Sequence, residues 1–187
     1  MSKIKEKLLV IALVGIILTL CTQSTLAYYT VIGHATNVVT SGGITLEIHE
    51  MTDQGTAFPE EGVYVLPGDV VSKIVTVENV CAHPFYLRVK LIYGSNREAL
   101  SPEDCFRLNI NTEHWLYSDG WYYYTGILQP GEQTPYVFSQ VEIVGSQVDT
   151  SDIGSALSIT VLAQAVQSQN NPIPSEDTTS VQGWPAE

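Results

Sequence analysis

At 187 residues, with 8 basic against 20 acidic side chains and a formal net charge of −12, the chain is long enough for one well-cored domain. Beyond position 27 the basic residues are Lys73, Arg88, Lys90, Arg97 and Arg107, scattered among nineteen acids. That balance excludes nucleic acid as a partner, because phosphate binding depends on clustered Lys and Arg. It also sets like chains against one another, so any self-assembly works against repulsion.

Lys3, Lys5 and Lys7 precede the apolar run Leu8 to Leu20. Such a run makes the h-region of an export signal but is shorter than the ~20 residues of a membrane-spanning helix. Thr25-Leu26-Ala27 places small residues three and one before a cut after Ala27, leaving Tyr28 as the new N-terminus. The competing reading is an uncleaved anchor. Leu20 before Cys21 is not the small residue that lipid attachment requires. The expected organisation is a signal peptide over 1–27, an N-terminal strand and Gly hinge over 28–43, a β-domain over 44–167 and a flexible polar tail over 168–187. The membrane is met only during export.

Tyr28 to Val39 is aromatic and β-branched, and Gly42-Gly43 frees it from the next strand. Ile44 to His49 alternates apolar and polar, the period-2 pattern of a half-buried strand. Val63 to Leu66 leads into the Pro67-Gly68-Asp69 turn, and a β-rich run extends from Val70 to Val80. Phe85 to Tyr93 is the cleanest alternation in the chain. Ser101-Pro102-Glu103-Asp104 predicts one short helical turn, with Ser101 as its cap. Phe106, Leu108 and Ile110 mark a strand, and Trp115 to Tyr124 reads as a β-hairpin turning at Asp119-Gly120. Gln129-Pro130-Gly131-Glu132 is a second Pro-Gly turn. Val137, Val141 and Ile143 mark a further strand, and Leu157 to Ala165 the last. Eight or nine short strands without a long amphipathic helix predict an all-β fold, an antiparallel β-sandwich of jelly-roll-like or Ig-like form.

The chemistry-bearing residues are sparse. Cys81 and Cys105 are either bridged, closing a loop of about 25 residues at ~3 kcal/mol, or separate thiols. His34, His49, His83 and His114 share no ligand spacing. His49-Glu50 comes nearest to a zincin motif but lacks the second His, so neither metal nor cofactor is expected. No nucleophile elbow or phosphate loop is present. Trp121, Tyr122, Tyr123 and Tyr124 either present an aromatic row to a sugar or pack across strands. Packing is the stronger reading, since the motif occurs once rather than in an array.

Ala27, Tyr28, Tyr29 and Thr30, then Ala35-Thr36-Asn37 and Thr40 with Gly42, resemble the signal junction of the TasA/camelysin family. Val31 departs from the acidic residue usual there. The hairpin with its following Pro-Gly turn, the strand after Pro67-Gly68-Asp69, Ala163 to Gln167 and Gly183-Trp184-Pro185 are similar to later family segments. The resemblance implies export from a Gram-positive cell, processing by a SipW-type signal peptidase, a jelly-roll-like sandwich, and a place in biofilm matrix fibres. In such fibres the N-terminal strand completes a sheet in the next subunit. Here that role falls on Tyr28, Tyr29, Thr30, Val31, Ile32, Val38 and Val39. The expected function is therefore a secreted structural protein of the matrix or cell surface, partnered by itself or a related matrix protein, and not an enzyme. The alternatives are a monomeric adhesin or carbohydrate-binding module and, further off, a camelysin-like metalloendopeptidase.

Overall fold

Period-2 alternation puts every second side chain of a strand on one face, so these segments must bury that face against a second layer. A computed structural model describes residues 29–36 (as backbone), 43–98, 100–147, 155–169, 171–173 and 177–185. Eleven strands lie among them: β1 Tyr29–Thr36, β2 Leu46–Met51, β3 Val63–Val65, β4 Val70–Ser72, β5 Ile74–Asn79 and β6 Phe85–Ser95 come first. β7 Phe106–Leu108, β8 Trp115–Ser118, β9 Trp121–Tyr124, β10 Gln140–Ile143 and β11 Ala156–Gln167 complete the set. The fold is all-β, an antiparallel β-sandwich as expected. The strand count exceeds the expected eight or nine partly because the Val70 to Val80 run divides at Lys73, where its pairing changes.

One layer has the order β3-β1-β11-β6-β9-β8, antiparallel except where β1 runs parallel to β11. The other joins two smaller sheets, β4-β10-β7 and β2-β5. Lys73 N donates to Ser139 O, Val75 N to Phe138 O and Val137 N to Val75 O. The stretch before β10 therefore runs beside β5 and continues into β10 beside β4.

Between the layers lie Leu46, Ile48, Val75, Val77, Phe85, Leu87, Val89, Val141, Ile143, Leu157, Ile159 and Val161, all in one buried cluster. The long β6–β11 ladder, Leu157 opposite Ser95 through Gln167 opposite Phe85, is its spine. The expected turn at Ser101 is a 3₁₀ turn over Pro102–Cys105, and Ser101 makes no side-chain cap. Asp119 and Gly120 both take positive φ, 48° and 80°, the geometry a two-residue hairpin demands.

The expected flexible tail over 168–187 needs correction. Its described part docks on the large sheet: Thr178–Ser180 form a 3₁₀ turn capped by Asp177, and Val181 is 3% exposed. The Trp184 ring lies edge-on to Tyr123 at 5.8 Å. A few apolar residues in a polar stretch are enough to seat it.

Candidate functional site

The N-terminal strand holds an interior place in the large sheet. Thr30 to Thr36 pair in parallel with Ala156 to Leu162, and Tyr29 to Val31 pair antiparallel with Val65 to Val63. Thus β1, which carries Tyr29, Thr30, Val31 and Ile32, has a strand neighbour on each side. The cleavage pair Ala27 and Tyr28, and Val38 and Val39, lie outside the described residues. After them Gly43, at φ 74°, turns the chain toward β2.

The hairpin sorts its aromatics by the strand period. Trp115, Tyr117, Tyr122 and Tyr124 share one face, with Trp115 opposite Tyr124 and Tyr117 opposite Tyr122; Trp115 is buried, Tyr122 and Tyr124 are half-buried, and Tyr117, at the sheet edge, is exposed. Their rings meet at 5.5 and 4.9 Å, the cross-strand packing expected of them. Burial pushes the Tyr93 phenol up to about 12, helped by the Tyr122 and Tyr117 phenols and by Glu103. Tyr122 and Tyr124 are raised too, mainly by burial.

Trp121 and Tyr123 face outward, yet they are only 3% and 6% exposed. The Arg88 guanidinium lies 4.0 Å from the Trp121 ring centre and 4.6 Å from that of Trp184. Arg88 also donates to Gln164 Oε1 at 3.0 and 2.6 Å and to the Tyr123 hydroxyl at 3.2 Å. The protein's own arginine and C-terminal segment thus fill the place a sugar ring would take. As a stacking site, Trp121 and Tyr123 are closed in this fold, while Tyr122 and Tyr124 are half-buried on the other face and packed against Tyr117 and Trp115.

Cys81 and Cys105 are not bridged. Cys81 Sγ donates to His83 O beside the start of β6, and Cys105 precedes Phe106, whose ring stacks on Tyr93 near the far end. Eight residue steps along the strand lead from Phe85 to Tyr93, about 26 Å at ~3.3 Å per residue. That is far beyond disulfide reach.

Two further groups are absent from the sequence expectations. Lys73 is in phase with Val75 and Val77 and is fully buried. Its Nζ lies 2.8 Å from Glu50 Oε2 and 4.7 Å from the Phe58 ring centre. Burial lowers the Lys73 amine below 10.5, while the Glu50 charge and hydrogen bond pull it back up. A lysine in register with apolar positions was the available signal. Secondly, Glu47, His49 and Glu78 gather on the outer face of β2 and β5, their donor atoms within 4.8 Å of one another. No sequence spacing announces that set, because Glu78 comes from another strand.

The molecule is in class an all-β sandwich whose interior N-terminal strand runs against the antiparallel grain of its sheet. Among the described residues no helix is long and apolar enough to cross a membrane. Comparison with known proteins goes no further: no protein-family model, curated protein or solved structure matches the chain.

Proposed function

We propose that the protein is a secreted, non-enzymatic structural component of a biofilm matrix or cell surface, whose copies join by exchanging β1. The observation that carries this reading is the place of β1. It is the first strand after the expected signal cut, yet it sits inside a sheet and is held by main-chain bonds from β3 and β11. A second copy's β1 offers the same backbone to the same slot, so exchange replaces each pairing with an equivalent one. That equivalence makes strand swapping a low-cost route to association. The acidic surface opposes approach, so assembly is expected to strengthen with salt. The signal junction and its resemblance to the TasA/camelysin family support export by a SipW-type peptidase and a matrix location.

A locked strand tests this. Thr30 and Ala156 are register partners across the β1–β11 ladder. Cysteines at both, with Cys81 and Cys105 changed to Ser, tie β1 to its own sheet when oxidised. Filaments seen by electron microscopy for the processed protein should then vanish, and return on reduction. Equal filament formation by the locked, oxidised protein sinks the exchange.

A further inference from the structure

We propose that Glu47, His49 and Glu78 form a binding site for one divalent transition-metal ion of the zinc class. The site is independent of strand exchange. Alternation along β2 puts Glu47 and His49 on the face opposite Leu46 and Ile48, which are buried in the core. The β2–β5 register sets Glu47 directly across from Glu78. Two carboxylates facing each other on neighbouring strands repel. The lysine of this region does not relieve them, since Lys73 is in phase with the core face of β5. Instead His49 Nε2 lies 2.8 Å from Glu78 Oε2.

The donor set is an imidazole and two carboxylates, with Glu47 exposed and the others half-buried. Zinc takes nitrogen and oxygen ligands at about 2.0–2.2 Å, which places tetrahedral donors about 3.4 Å apart. The present spread of up to 4.8 Å closes by small side-chain rotations of long, partly exposed groups. On binding, the ion takes the place of the direct His49–Glu78 contact, and water completes its coordination. Calcium and magnesium suit the set poorly, since they want six or more oxygens. The familiar zinc motif places two His one helical turn apart. Here the strand period supplies Glu-x-His, and the neighbouring strand supplies the third ligand.

The test uses the processed protein, stripped with a chelator and titrated with zinc chloride by calorimetry. One saturable equivalent is expected, with no competition from equimolar calcium. X-ray absorption of that complex should show a single imidazole among oxygen donors. His49→Ala and Glu47→Gln should each abolish the equivalent while leaving the circular dichroism spectrum unchanged; His83→Ala and His114→Ala should keep it. Absence of saturable binding in the wild type overturns the proposal, as does equal binding by Glu47→Gln, whose exposed position spares the fold.

Discussion

Replacing Lys73 by Met tests a fully buried charge. The Lys73 side chain is fully enclosed, Glu50 is 11% exposed, and Nζ sits 2.8 Å from Oε2. Glu50 Oε1 and Lys73 Nζ are both buried without a well-aligned hydrogen-bond partner, so each charge leans on the other's proximity for compensation. Met fills nearly the same volume, and what remains is an uncompensated buried carboxylate, at a cost of about 3–5 kcal/mol. With a urea m-value of about 2 kcal/mol/M, the unfolding midpoint should fall by about 2 M. Adding Glu50→Met should restore stability to the wild-type level or exceed it by about 1–4 kcal/mol, because apolar replacement removes both desolvation penalties. The pH dependence carries its own sign. Since folding lowers the Lys73 value, the unfolded chain binds more protons between the lowered value and 10.5. This group's contribution to stability therefore grows as pH rises through that window. A loss below about 1 kcal/mol for Lys73→Met would falsify the assignment of an ionised, mutually dependent pair.

The Tyr93 phenol runs in the opposite direction. Held at about 12 in the fold against an ordinary 10.0, it releases its proton more readily when unfolded, so stability should fall as pH rises from 10 toward 12. Tyr93→Phe should blunt that alkaline loss in pH-dependent urea melts while keeping the stack on Phe106. Trp184→Ala should cost about 1–2 kcal/mol in cation–π and edge contacts and raise acrylamide quenching of Trp121 fluorescence; unchanged quenching would mean the C-terminal segment is not seated there. Gly120→Ala should cost roughly 1 kcal/mol by thermal melt, because φ 80° is strained for any side chain.

The strands were legible because alternation reports burial directly, as in β2, β6 and β11. Turn chemistry was legible at Asp119-Gly120 for the same local reason. What sequence could not supply was register. The Glu47–His49–Glu78 cluster exists because β2 and β5 pair with Glu47 opposite Glu78. The separation of Cys81 from Cys105 depends on which end of β6 each one neighbours. Composition misled at the tail, where Asn, Pro, Ser and acids outnumber Val181 and Trp184. Those few apolar groups nevertheless find a prepared surface, since Arg88, Trp121 and Tyr123 need covering.

β11 lies between β1 and β6, and this permits exchange to be told apart from unfolding. One edge of β11 carries β1 from Ala156 to Leu162, while the other carries β6 from Leu157 to Gln167. Loss of β1 leaves the β6 ladder intact, and with it the row Leu157, Ile159, Val161, Ala163 and Ala165, each fully buried. Gln164 belongs to the strand's other face, where it holds Arg88 against Trp121 under Trp184. That cluster should therefore survive a swap of β1 between copies and disappear when the domain melts. Tryptophan fluorescence tracked during filament growth should show no red shift, whereas the same signal in urea should shift with the main transition. A red shift accompanying filament growth would mean that association proceeds through an unfolded core. The interior place of β1 would then reflect folding of a monomer rather than a joint between copies.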